Sequence, residues 1–162
     1  MRKLLLSLAA VVTALAVVSC GSKPIPSGKK ATVIVKRGEK VNFGWFWCQV
    51  DSVFATDSLG EGKALTKAMR GTYLVCDLTI GNQGMGPETA ETDLFELIAV
   101  NGKDTVSYGQ DFEAATYEGD RAFGESEVLQ VNKPRRGYII FDVPKSLSNA
   151  WLRLGTAYFF LK

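Results

Sequence analysis

Three cysteines, Cys20, Cys48 and Cys76, are the strongest nucleophiles in the chain, and no histidine accompanies them. Without histidine the usual catalytic triads and histidine-based zinc sites are excluded, and no imidazole stands ready to make a thiolate. Carboxylates are the other reactive groups. Glu88, Glu91, Asp93 and Glu96 form one acidic group; Asp111, Glu113, Glu118, Asp120, Glu125 and Glu127 form another, opposed only by Arg121. Calcium takes several oxygen ligands, but neither group has the EF-hand spacing, so both read as solvated loop charge and no metal site is expected. Paired carboxylates also serve glycoside hydrolysis, which needs a defined separation between them that no spacing here encodes. Gly84-Met85-Gly86-Pro87 is not followed by the Gly-Lys-Ser/Thr of a phosphate loop. The chain is therefore expected to be no enzyme and to need no cofactor.

Cys20 closes a distinctive leader. Arg2 and Lys3 precede 15 uncharged residues, Leu4 to Val18. That run is short for a membrane-spanning helix, which needs about 20 apolar residues, and reads as the apolar region of a secretory signal. Val17-Val18-Ser19-Cys20-Gly21 resembles the lipobox of bacterial lipoproteins. The resemblance implies a diacylglyceryl group on the Cys20 thiol, cleavage just before it, and lipid (such as palmitate) holding the chain to a cell membrane or outer membrane without spanning it. The alternative is an ordinary cleaved signal with an incidental cysteine. Cleavage removes Arg2 and Lys3 and no acid, so 19 basic residues become 17, equal to the 17 acidic ones. A neutral mature chain gives no general support to a nucleic-acid partner.

Residues 20–30 are rich in Gly, Ser, Pro and Lys and read as a flexible tether. Lys23, Lys29, Lys30, Lys36, Arg37 and Lys40 face only Glu39 between positions 21 and 40, a stem suited either to an anionic membrane surface or simply to solvent. Residues 31–162 then follow as one domain, with 46% hydrophobic and 22% charged residues in the chain overall, a globular composition.

Cys48 and Cys76 sit in strand-like alternations. Phe46, Cys48 and Val50 alternate with Trp47, Gln49 and Asp51; Leu74, Cys76, Leu78 and Ile80 alternate with Tyr73, Val75, Asp77 and Thr79. Both thiols fall in the apolar set. Outside the cytoplasm a disulfide is permitted, and one between them would close a loop of about 28 residues for about 3–4 kcal/mol on a chain-entropy model. Two buried free thiols are the other reading.

Further short β-type runs cover Thr32–Val35, Leu94–Val100, Asp104–Tyr108, Val128–Val131, Tyr138–Val143, Trp151–Leu154 and Tyr158–Leu161, with turn signals such as Asn101-Gly102 between them. Residues 57–71 read as a polar connection with room for a short helix over Lys63–Arg70. Residues 109–127 form a long acidic stretch with little periodicity. Seven or eight short strands predict an antiparallel β-sandwich. Asn82 falls at a strand end, where its side chain can bond nearby backbone, and Pro144 must end the strand before it.

Three stretches carry a resemblance: Tyr73 to Gly84, Asp93 to Lys103 through Asn101-Gly102, and Gly137-Tyr138-Ile139-Ile140-Phe141-Asp142-Val143-Pro144. In that order and spacing they resemble the DUF4352-type immunoglobulin-like domain of bacterial secreted proteins and lipoproteins, over roughly residues 31–160. Lys133-Pro134-Arg135 departs from the family's Pro-Gly turn. The resemblance implies an all-β immunoglobulin-like sandwich at the cell envelope and carries no catalytic residues.

Aromatic residues are the candidate contact points. Trp45, Phe46 and Trp47 are consecutive, so alternation turns an aromatic away from the Phe46 face; Tyr108, Phe112, Tyr117 and Phe123 punctuate the long acidic stretch. Together these features predict a lipid-anchored, non-enzymatic module that binds a protein or envelope component, docking through residues 109–127 or an exposed strand edge. The alternative is a structural or accessory subunit of an envelope assembly.

Overall fold

A computed structural model describes residues 33–62, 64–101 and 104–161. The lipobox, Cys20 and the tether lie outside the described residues. Two antiparallel-dominated sheets face each other. One holds β1 (Val33–Val35), β13 (Ala157–Phe160), β12 (Ala150–Leu154), β8 (Phe95–Asn101) and β9 (Asp104–Tyr108), in that order. The other runs β11 (Arg135–Val143), β6 (Thr72–Asn82), β3 (Phe46–Thr56) and β2 (Lys40–Phe43). Among the described strands only β1 runs parallel to its neighbour, with Val33 opposite Ala157. The predicted β-sandwich is the fold.

The described residues hold more strands than the sequence reading expected, because two short ribbons decorate the sheets. β7 (Glu88–Glu91) pairs with β10 (Ser126–Leu129). β4 (Ser58–Glu61) pairs with β5 (Ala64–Lys67), so the segment read as a polar connection with a short helix is a hairpin. Gly60 and Gly62 in it adopt positive φ of 90° and 61°, a backbone state glycine reaches without steric cost. The acidic stretch contains a five-residue helix α1 (Phe112–Thr116), capped where the Ala114 N–H donates to Asp111 Oδ1 at 2.8 Å.

The core lies between the two sheets. Leu97, Leu152 and Phe159 meet Cys48, Val50, Leu74, Cys76, Leu78, Ile80, Ile139 and Phe141. Alternation along β6 therefore holds for its inner face. Its outer face is also buried: Tyr73 and Val75, with Ile140 of neighbouring β11, pack under Leu59 of β4 and Ala114, Ala115 of α1. Asp77 on that face, 6% exposed, is bound two-pronged by Arg136, with Nε to Oδ1 at 2.9 Å and Nη2 to Oδ2 at 2.6 Å.

The disulfide expected between Cys48 and Cys76 is not formed; both are free, buried thiols. Register explains this. Cys48 stands opposite Ile80, whereas Cys76 stands opposite Val53. Four residues along β6 separate them by about 13 Å, and a disulfide needs Cα atoms within about 7 Å. Burial pushes both thiols well above their ordinary range, with the charge of Asp51 adding to Cys48.

Candidate functional site: an apolar cleft at one end of the sandwich

The β2–β3 turn, the loop before β8 and the β12–β13 turn meet at one end of the sandwich and leave a cleft of about 600 Å³ open to solvent. Its floor is aromatic. Phe43 and Phe46 face each other across the β2–β3 hairpin with ring centroids 5.7 Å apart, and Phe43 meets Phe95 of the opposite sheet edge-on at 6.5 Å. That contact ties the two sheets together just below the opening. Leu154 completes the apolar floor.

Trp45 and Leu94 form the rim, 61% and 56% exposed. Each is fixed by its backbone rather than by side-chain packing. Gly44, at φ 58°, allows the tight turn that projects Trp45, and the Gln83 N–H donates to the Trp45 carbonyl at 2.9 Å. Leu94 ends a short 3-10 turn, Thr92–Leu94. Buried Thr92 pins that turn: its N–H and hydroxyl donate to the Glu125 carbonyl at 2.9 and 3.0 Å, and the hydroxyl also reaches the Gly124 carbonyl. Polar lining comes from Thr89, Glu91 and Arg153, the last ion-paired with Glu96 across β12 and β8. An apolar opening with a few polar groups at its edge is the architecture of a binding cleft. It suits an apolar side chain or short apolar segment.

Asn82 supports this end from inside. It is 1% exposed, and its Nδ2 donates to the carbonyls of Gly86 and Leu129 at 2.8 and 2.9 Å while Oδ1 accepts from the Gly84 N–H at 2.7 Å. The strand-end role read from the sequence is the one it plays.

Of the six aromatic residues singled out, only Trp45 lines this cleft. Trp47 is half-buried, its ring lying against Gly81 of β6 with the Lys40 ammonium 3.9 Å from its centroid. Tyr108 and Phe112 line a separate polar cleft of about 310 Å³, where the Arg70 guanidinium lies 5.7 Å from the Tyr108 ring. Asp142 in that cleft is occupied by the backbone N–H groups of Met69 and Arg70 at 2.9–3.1 Å. Tyr117 is 38% exposed on the flank. Phe123 is fully buried against Gly137 with the Arg135 guanidinium 4.8 Å from its ring, so it is core and no contact point. The acidic stretch thus packs down as a folded cover and does not present its aromatics as one surface. Sequence reading missed Phe43, Leu94 and Leu154 as cleft residues; the Gly44-Trp45 and Gly155 turns were the available signals.

Among the described residues no group of three or more Asp, Glu, Cys or His side chains is placed to hold a metal ion, and no helix is long and apolar enough to cross a membrane.

An immunoglobulin-like β-sandwich with an apolar cleft at one end is the class of protein these features define. Residues 35–160 match DUF4352, described as a domain of unknown function, and the chain belongs to that family. No curated protein matches the sequence. Among solved structures, an uncharacterised beta-sandwich protein from Clostridium difficile 630 is 15% identical with a TM-score of 0.54, covering 86% of this chain and 99% of its own. A conserved hypothetical protein from Bacillus anthracis is 17% identical with a TM-score of 0.54, covering 71% and 85%. The secreted protein MPT63 from Mycobacterium tuberculosis is 16% identical with a TM-score of 0.52, covering 80% and 96%. At these identities the likeness is one of fold.

Proposed function

We propose that this protein is a non-enzymatic, lipid-anchored module outside the cytoplasm that binds a protein or envelope component through the Trp45 cleft. The observation that carries the reading is the cleft itself: an aromatic floor open to solvent, with Trp45 and Leu94 left exposed on its rim although neither serves the core. Exposed tryptophan beside a pocket is the usual anchor of a binding surface. The leader and Cys20 support the location, as does the secreted M. tuberculosis protein that shares the fold. Three carboxylates serve the fold: Asp111 caps a helix, Asp142 accepts from backbone N–H groups and Asp77 pairs with Arg136.

A photo-reactive amino acid placed at Leu94 in the anchored chain tests the reading. One specific adduct in envelope membranes, absent when the same group is placed at exposed Asp120, is the expected result. Equal adducts from both positions would overturn it.

A further inference from the structure

The β2–β3 hairpin that builds the cleft leaves one edge of its sheet open. β2 is the last strand of the four-stranded sheet, and among the described residues nothing pairs with its outer side. Phe43 stands opposite Phe46 with only Gly44 and Trp45 between them, so this pair closes the hairpin and exchanges its main-chain bonds within it. Bonding alternates along an antiparallel pair. Val41 therefore bonds to Cys48, while the N–H and C=O groups of Lys40 and Asn42 point out of the sheet's edge. Edge strands are commonly guarded by lysine or proline. Lys40 gives little guard here, because its ammonium lies over the Trp47 ring of β3, 3.9 Å from the centroid. The side chains are as unfinished as the backbone. Val41 and Phe43 pack against the core yet remain half-buried, whereas Cys48 and Val50 on the same face of β3 are fully buried.

We propose, resting on the cleft's role as a protein-binding site, that an extended peptide segment of the partner adds to β2 as a fifth strand of this sheet. Its apolar residues lie beside Val41 and Phe43, and its acidic residues lie on the solvent face. Three features select this occupant. The outward main-chain groups of Lys40 and Asn42 are those that an incoming strand pairs with, and they supply affinity whatever its sequence. Val41 and Phe43 share the inner face, and Phe43 lines the cleft, so the residue that pairs alongside Phe43 enters the cleft. Lys36, Arg37 and Lys40 are exposed at the start of the strand and opposed only by Glu39, a charge that complements carboxylates on the incoming segment. Main-chain pairing on β2 thus gives affinity, and the apolar residue that the cleft accepts gives specificity.

The test uses the full chain as cells produce it and a short dye-labelled peptide that alternates glutamate with valine and ends in phenylalanine. Fluorescence anisotropy reads binding, and hydrogen exchange reads the amides of β2. The native chain should bind, and the Lys40 and Asn42 amides should then exchange about ten-fold more slowly, while those of Val41 and Phe43, already bonded to β3, stay as they were. Asn42→Pro deletes one outward N–H at an edge position where proline is tolerated, and should weaken binding about ten-fold or more with the domain still folded. Asn42→Ala keeps that N–H and should bind as the native chain does. The same peptide methylated on its main-chain nitrogens probes the pairing with the protein untouched, and should not bind. Full binding by Asn42→Pro, or of the methylated peptide, would overturn strand addition alone and leave the cleft reading standing. No binding by the native chain would also overturn it. Slow exchange at Lys40 and Asn42 in a dimer before peptide is added would overturn it in favour of a second copy on this edge. Undiminished binding by Trp45→Ala, with the same amides protected, would overturn the cleft reading while the pairing on β2 holds.

Discussion

Replacing Asn82 by alanine should unfasten the cleft end of the sandwich and lower stability by about 3 kcal/mol. Asn82 is 1% exposed and makes three side-chain hydrogen bonds of 2.7–2.9 Å to backbone groups. Each such bond contributes about 0.5–1.5 kcal/mol net, which for three gives about 1.5–4.5 kcal/mol. The upper half of that range is expected, because the truncation strands the Gly84 N–H and two carbonyls that alanine cannot satisfy. Guanidinium unfolding followed by tryptophan emission reads this as a lower midpoint at unchanged slope. Thermal melting should drop by roughly 10 °C for a domain of this size. Asn82→Asp is the sharper control. It keeps the acceptor for Gly84 but loses both donors and buries a carboxylate, so it should be at least as destabilising as alanine. The loss also reaches the rim, since Gln83, the next residue, holds the Trp45 carbonyl. A change of stability below about 0.5 kcal/mol, the ordinary level for an unimportant surface position, would refute this reasoning.

Gly81→Ala should push the Trp47 ring off β6, because an added Cβ would collide with the indole; overpacking of this kind costs about 1–3 kcal/mol and should shift Trp47 emission. Cys48 and Cys76 should resist iodoacetamide in the native chain and react fully once it is unfolded, since burial holds both as neutral thiols. The same burial fixes a pH dependence. The unfolded chain loses these protons above about pH 8.5 while the native chain keeps them, so stability is full below that pH and falls above it by about 1.4 kcal/mol per pH unit for each thiol. Urea unfolding at pH 8 and pH 10 checks the sign; Cys48→Ala should reduce the slope by about half. Cys20→Ser should move the protein from the membrane to the soluble fraction, and intact mass of the native protein should show a chain beginning at a lipid-modified Cys20.

How far the sequence discloses this molecule follows from which interactions are local. The inner face of β6 reads directly from Leu74, Cys76, Leu78 and Ile80, because alternation is a property of one strand. Asn82 and Pro144 read equally well, since strand-end bonding and a missing N–H are local chemistry. Long-range register does not read. Cys48 and Cys76 share a face and a pair of neighbouring strands, yet a displacement of four residues forbids their bond. Alternation puts Tyr73 and Val75 on the face opposite the inner core, and it cannot show that β4 and α1 cover that face. Phe123 illustrates the same limit: it sits in a charged, aperiodic stretch and still fills a slot above Gly137. The cleft combines both cases. Trp45 was legible as a residue turned away from the core, while Leu94 and Leu154 joined it only through the pairing of β8 with β12.

Capture by the anchored protein in cross-linked envelope membranes, compared between the native chain and Trp45→Ala, tests the central claim most directly. Truncating a tryptophan anchor that a partner covers costs at least about 2 kcal/mol of binding, so the specific partner should fall by roughly thirty-fold. Tyr117→Ala, exposed on the flank and away from the cleft, should capture as the native chain does. A partner retained in full by Trp45→Ala would contradict the account, because the cleft would then be a bystander on the surface of the sandwich.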